Sequence, residues 1–476
     1  MEPVDLLIVN GTILTMDEER RVISKGGLAV KGNRIVDLGP KDVLLKRYQA
    51  KKVMEAVDRL IMPGFVDAHV HSAYALARGM IEDLPCVPWC SRAFHFVYTG
   101  LDEESYYRSA LLTCLQMVKT GTTCFAECGT LNNPPWEMCV VRAVEEVGLR
   151  GVVGRGLWDI YEPPGFSLPR SGSGFVRETT TRGLRKVESF IRRIQGGPSS
   201  RIKAGLALRQ IPNCSDTLCR GVKRLSDEYG VEVLTHAGVA EEMVQMTVQR
   251  FGKRDIERMG HLGLLGPRFL AAHMGWISGE ELMLIRDTGT HVVHNVGSSM
   301  HGAYGSVSRG LFPEMVSAGV NVALGCDAVS CDNHLDMVRQ MYLAAIAHKE
   351  CRLDPTLFPP AQVVQMATLN GAKALLWEEE IGSLEVGKLA DVIIVDLKNL
   401  DWVPVHSYNL LNNLVYSATG ESVETVIVDG RILMENRKIL TVNEERLTDW
   451  AQEAGEKLAA HAYWLKKKGS KGGTRN

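Results

Sequence analysis

The spacing of apolar residues changes character twice along the chain. Residues 6–9 are an apolar run, Asn10-Gly11 follows, and 12–15 are again largely apolar. Asn-Gly between two such runs predicts a hairpin, because both residues tolerate positive φ. The run 28–30, the turn Lys31-Gly32-Asn33 and the run 34–36 repeat the device. Near the other end, 391–396 and 425–431 have the same character. The two ends therefore predict one small β domain shared between them, with the middle of the chain inserted.

From about residue 60 to 385, short apolar runs alternate with helical periodicity. The candidate strands are 64–68, 122–127, 151–156, 202–208, 231–236, 269–273, 291–294 and 320–327, with helices between, as at 105–119 and 136–147. Eight strands separated by helices predict an α/β fold of the (β/α)8 barrel type. A doubly wound parallel sheet is the alternative with the same local pattern. The Pro-, Gly- and Ser-rich stretch 157–183 predicts a long loop, over the mouth of the site if the sheet closes. Residues 445–466 read as helix, and the lysine-rich end beyond them as a solvated tail.

Composition narrows the class. The 476 residues carry 54 Lys+Arg against 56 Asp+Glu, a net charge of -2. Such a balance argues against a nucleic-acid partner and for a small-molecule substrate. No apolar run reaches the roughly 18 residues of a membrane span. The first residues lack the basic and apolar regions of a secretory leader. The 11 cysteines are odd in number and scattered, which predicts reduced thiols and a cytoplasmic protein.

The candidate chemistry sits at the ends of the predicted strands. His69 and His71 are two apart, so a strand projects both to one side. Alone such a pair is weak evidence for a metal. His236 ends the run 231–235, His273 ends 269–272, and Asp327 ends 322–326. Five imidazole or carboxylate groups at successive strand ends are hard to explain as packing. In a barrel that end carries the active site, and imidazoles with one carboxylate suit a divalent cation.

These residues stand in longer motifs. Pro63-Gly64-Phe65-Val66-Asp67-Ala68-His69-Val70-His71, His294-Asn295, Gly325-Cys326-Asp327, Met366-Ala367-Thr368-Leu369-Asn370-Gly371-Ala372 and the stretch Ile381 to Asp391 together resemble the amidohydrolase superfamily. The similarity is to its branch of cytosine deaminases, S-adenosylhomocysteine deaminases and s-triazine hydrolases. The resemblance implies a (β/α)8 barrel, a β-sandwich built from both termini, and a catalytic metal. The partition it suggests is 1–58 and 385–445 for the sandwich, 59–384 for the barrel, and 446–476 for a helix and tail. It assigns His69, His71, His236 and Asp327 as metal ligands, with His273 beside them as a ligand or as a polariser of the attacked group. No lysine ends the third or fourth barrel strand, so the resemblance implies one ion, Zn²⁺ first and Fe²⁺ as the alternative. Asp327 would move the proton from the attacking water to the leaving group. Members are commonly homodimers or larger.

The sequence also departs from the branch. Its mononuclear deaminases place Glu three residues after the third histidine, to protonate a ring nitrogen. Here that position is Val239, and Glu241 and Glu242 come later. Either the substrate needs no ring protonation, or the loop is shifted and Glu241 serves, or Glu127 at the end of 122–126 supplies the acid. Where nucleoside-type deaminases carry a substrate-binding histidine, this chain has Arg209, whose fixed donors suit a carbonyl or carboxylate or a structural ion pair. Trp89, with Phe94, Trp158, Tyr161 and Tyr304, is a candidate aromatic wall, and His301 a candidate substrate contact. Together these changes favour hydrolysis of an amide, urea, carbamate or substituted triazine. Deamination of an aminated purine, pyrimidine, pterin or triazine is the alternative, and a non-catalytic metal-binding scaffold a third reading.

Overall fold

The computed structural model describes residues 1–130, 136–161, 177–197 and 199–470. Five strands come first: β1 (Glu2–Leu14), β2 (Val22–Lys31), β3 (Arg34–Pro40), β4 (Tyr48–Glu55) and β5 (Arg59–Pro63). The chain then enters β6 (Phe65–His71), β7 (Thr122–Thr130), β8 (Arg150–Leu157), β9 (Ile202–Leu208), β10 (Val233–Ala237), β11 (Phe269–His273), β12 (His291–His294), β13 (Val322–Leu324) and β14 (Asp327–Ala328). It closes with β15 (Val392–Asp396), β16 (Val423–Val428), β17 (Arg431–Glu435) and β18 (Lys438–Ile439).

The strands β6 to β14 form one parallel sheet in the order β13-β12-β11-β10-β9-β8-β7-β6-β14. β13 pairs with β12 and β14 pairs with β6, so the short segment 322–328 closes the sheet on itself. This is the (β/α)8 barrel, and its eighth strand is split. Its strands are buried on both faces, as parallel strands under helices must be: every residue of β6 and β8 is buried. All eight strands contribute to one interior cluster, including Val66, Ala126, Val152, Ala207, Leu234, Ala272, Val293 and Ala323. Trp377 plugs its lower end, with Arg150 and Lys203 stacked on the indole at 4.3 and 4.7 Å.

The helices outside start and stop by ordinary capping chemistry. Ser215 caps the helix Asp216–Tyr229, and Ser278 with Glu281 forms a capping box on Gly279–Thr288. Gly230 and Gly289 end these helices at φ of 66° and 70°, where only glycine is unstrained.

Both ends of the chain join a second, nine-stranded sheet, where β15 pairs antiparallel with β5 and β5 parallel with β1. The hairpin expected at Asn10-Gly11 does not form. β1 runs straight through it as a bulge, with Asn10 at φ 69° and the register slipping on both sides of Gly11. A Cβ at Gly11 would sit 2.7 Å from Ile61, so the glycine answers close packing rather than a turn. The bulge lets the first half of β1 pair with β4 and the second half with β5. Lys31-Gly32-Asn33 does turn, joining β2 to β3.

Of the loop expected over 157–183, residues 162–176 lie outside the described residues, and a helix already begins at Thr180. The C-terminal helix spans Glu444–Ser470, so the first lysines of the expected tail belong to it. No helix among the described residues is long and apolar enough to cross a membrane.

Candidate active site

The five strand-end groups meet at one point at the top of the barrel. His71 Nε2 and His236 Nε2 lie 2.9 Å apart, and Asp327 Oδ1 is 3.6 Å from both His69 Nε2 and His71 Nε2. His273 Nε2 is 3.8 Å from Asp327 Oδ2. All five side chains are buried or nearly so. Strand phase alone does not bring them together. Val66 and Ala68 point into the barrel, yet so do His69 and His71, which are out of step with them. The register slip between Asp67 and Val70 inserts a bulge that re-aims the two histidines. His273 is likewise out of step with Leu270 and Ala272, and reaches the centre through a φ of 77°. Asp327 sits at φ 67°. Left-handed backbone at residues other than glycine costs roughly 1–3 kcal/mol, and such strain collects at functional centres.

Surrounding groups hold these side chains. Asp67 Oδ1 accepts the backbone N–H of His69 and of Cys326, tying the first strand to the eighth. Burial pushes the Asp67 carboxyl up to about 6. Glu127 Oε2 accepts the Ser72 N–H, and its other oxygen is 4.0 Å from His71 Nδ1. The Ser298 hydroxyl donates to Asp327 Oδ2 at 2.7 Å. Burial alone would raise the Asp327 carboxyl, but the imidazoles around it, His69 foremost, hold it well below its ordinary value. Burial also keeps His71 and His236 neutral, and lowers His273 to about 4.

The donors fit a tetrahedral cation. Ligand atoms on an ion with bonds of about 2.0–2.1 Å lie about 3.4 Å from one another, and the His71–His236 separation and those of Asp327 from His69, His71 and His273 run from 2.9 to 3.8 Å. His69 Nε2 is buried without a hydrogen-bond partner. Three or more ligand atoms converge within 4.8 Å in two overlapping groups, His69 with His236 and His273, and His69 with His71 and Asp327.

A narrow cleft opens on this centre. Tyr74, Trp89, Phe94 and Tyr304 form aromatic walls, with Arg209, Gln210, Val239, Met243 and three thiols, Cys86, Cys90 and Cys331, between them. Trp89 thus lines the cleft, while His301 does not. His301 Nε2 pairs at 2.5 Å with Glu82 and borders a neighbouring groove. Trp158 packs behind the wall on Phe94. Glu241 and Glu242 are exposed at the start of a helix and face the same neighbouring groove, so Val239 occupies the wall and neither of them replaces it there. Tyr74, Ser298 and Gln210 carried no motif in the sequence. They enter the site because the 3-10 turn after β6, the helix after β12 and the end of β9 converge in space.

A sequence profile of the amidohydrolase family matches residues 60–433. The chain belongs to the amidohydrolase family. Among its relatives, a 5'-deoxyadenosine deaminase of Methanosarcina mazei is 34% identical over 456 residues, covering 96% of this chain and 99% of the relative. A 5-methylthioadenosine/S-adenosylhomocysteine deaminase of Syntrophobacter fumaroxidans is 34% identical over 445 residues, 94% of this chain and 96% of the relative. An adenosine deaminase of Xanthomonas campestris solved with zinc superposes with a TM-score of 0.87 at 26% identity, over 96% of this chain and 99% of that one. A triazine hydrolase variant has the same fold, with a TM-score of 0.86 at 18% identity, over 94% of this chain and 99% of the other. Amidohydrolases are metal-dependent hydrolases, and this chain is an enzyme that hydrolyses carbon–nitrogen bonds in small nitrogen-rich compounds.

Proposed function

We propose that the bond hydrolysed belongs to an amide, urea, carbamate or substituted triazine, at a single Zn²⁺, with Fe²⁺ as the alternative ion. His69, His71, His236 and Asp327 would hold the ion. When bound, such a cation lowers the pKa of a coordinated water from about 15.7 to about 7. Asp327 accepts the proton of the attacking water and passes it to the leaving nitrogen, with the Ser298 hydroxyl fixing its carboxylate. His273 faces the charge that develops on the attacked group. The hydrophobic Tyr74–Trp89 side of the cleft excludes bulk water from a planar substrate.

The single observation that carries this choice is Val239. It lines the cleft where ring protonation needs an acid, and Glu241 and Glu242 point elsewhere. Substrates whose reacting carbon is already polarised need no such acid. The relatives' names favour a second reading, deamination of an adenine nucleoside. Product analysis of the zinc-loaded protein separates the two. Release of an organic amine from ureas or amides supports the first reading. Release of ammonia from adenosine derivatives at comparable kcat/KM overturns it. Under the first reading, Val239→Glu gains activity on aminopurines. We further infer a cytoplasmic protein that works as a homodimer or larger assembly without nucleic acid. The charge balance supports the absence of a nucleic-acid partner and the free cysteines a reducing compartment.

A further inference from the structure

Four arginines are buried among the described residues: Arg150, Arg155, Arg209 and Arg258. Three have carboxylate partners. Arg150 pairs with Asp391 at 2.7 Å, Arg155 with Glu178 at 2.9 Å, and Arg258 with Asp216 at 2.7 Å. Arg209 has none within 4 Å among the described residues, although it is only 5% exposed. Its Nη1 donates to the Gly129 carbonyl at 2.5 Å, its Nη2 to the Tyr74 hydroxyl at 3.1 Å, and the Phe94 ring lies 5.3 Å from the guanidinium carbon. Glu127, the nearby acid, is engaged by Ser72 and His71 instead.

A buried guanidinium without a counter-ion is destabilising in the free protein, because its desolvation is not offset by an opposite charge. This one lines the catalytic cleft, where Asp327 is the only carboxylate among the lining residues. Beside it, Gln210 Oε1 is buried, lines the same cleft and has no hydrogen-bond partner. The pair therefore presents a forked cationic donor next to an open amide acceptor. That pattern is complementary to a carboxylate, or an equivalent delocalised anion, adjacent to an N–H group. Tyr74, which takes the Arg209 hydrogen bond, has its ring 6.1 Å from that of His71. The anion must then sit within a few bonds of the reacting carbon.

We propose that Arg209 is the specificity-determining residue for an anionic substrate, a planar ureide or nitrogen heterocycle carrying a carboxylate beside an N–H, with Gln210 accepting that N–H. The proposal rests on the hydrolase reading of the cleft and deepens it by naming the substrate class.

The test uses the full-length zinc-loaded protein and acid–amide pairs as probes: orotate and its carboxamide, and N-carbamoylglycine and its amide. Calorimetric titration should show, for at least one pair, the acid binding about tenfold or more tighter than the neutral amide. Arg209→Gln should abolish that preference, and Arg209→Lys should keep part of it, since charge remains without the fork. Arg209→Gln should also melt no lower than the wild type, because it removes an unpaired charge. Equal binding of acid and amide in both pairs, no binding of either acid, or an unchanged preference in Arg209→Gln would each overturn the proposal. So would a Tm loss of several degrees in Arg209→Gln with substrate preference intact, the signature of a structural role. If Arg209→Gln fails to fold, Arg209→Lys decides alone, an undiminished preference counting against the proposal. Turnover of neutral ureas or amides only would overturn the anion proposal and leave the hydrolase reading standing. Acids that bind and are not hydrolysed, with no other turnover, would do the reverse.

Discussion

Asp327 concentrates more functions than any other side chain. It faces three imidazoles, accepts the Ser298 hydroxyl and sits in a strained backbone conformation. Asp327→Asn keeps the shape and removes the carboxylate proposed to take the proton. A positioned general base contributes about 10²–10⁴-fold, so kcat should fall by at least about 10²-fold while circular dichroism stays native. Near-wild-type kcat would remove Asp327 from proton transfer. His69, His71, His236, His273 and Asp327 could all be read from the chain, because the first two share one side of a strand, the other three close apolar runs, and each carries a functional group with few other uses. Ser298 and Tyr74 could not. A serine and a tyrosine have many roles, and only their distances to Asp327 and Arg209 give them these ones.

The elements were legible wherever period and punctuation agreed. All eight barrel strands lie close to their apolar runs, because a strand buried on both faces has no polar phase to confuse it. Asn10-Gly11 misleads because the same dipeptide serves a turn and a bulge, and only Ile61 packed on Gly11 decides between them. The contact between the two sheets was equally invisible. Arg150 at the start of β8 donates to both oxygens of Asp391, and also to Asp429 at 3.1 Å, across 241 and 279 residues. Removing one partner of a buried pair leaves the other charge uncompensated, at about 3–5 kcal/mol. Arg150→Met should therefore lower stability by about that much in chemical denaturation, with the cleft's metal content unchanged. A loss under about 1 kcal/mol would show that the pair does not join the barrel to the terminal sheet.

At the scale of the whole molecule, metal and protons set stability. A ligand that binds only the folded state stabilises it by about 2.7 kcal/mol at a hundredfold excess over its Kd. Chelation should abolish turnover and lower Tm by a few degrees, and one equivalent of Zn²⁺ should restore both. An unchanged melt would mean that the strand-end cluster holds no ion. At the opposite end of the barrel, burial raises the Glu232 carboxyl from 4.5 to about 7, with Lys203 3.9 Å away opposing the rise. The folded state thus keeps a proton that the unfolded chain releases. Stability from this group is present below pH about 4.5 and is lost as pH rises through about 7. A shift of that size corresponds to about 3 kcal/mol. Glu232→Gln should match the wild type at pH 4.5 and melt higher at pH 8, and equal melts at both would contradict it. By itself the chain determined the barrel, the candidate metal-binding groups at its strand ends and the valine at position 239, because strand burial and metal chemistry restrict residue types locally. Only the tertiary structure decided that Glu241 and Glu242 turn away from Val239, that a bulge and two left-handed residues bring the strand-end groups together, and that Arg209 has no carboxylate partner among the described residues. Those facts depend on which side chains from distant strands meet in space, and a period along the chain carries no such distance.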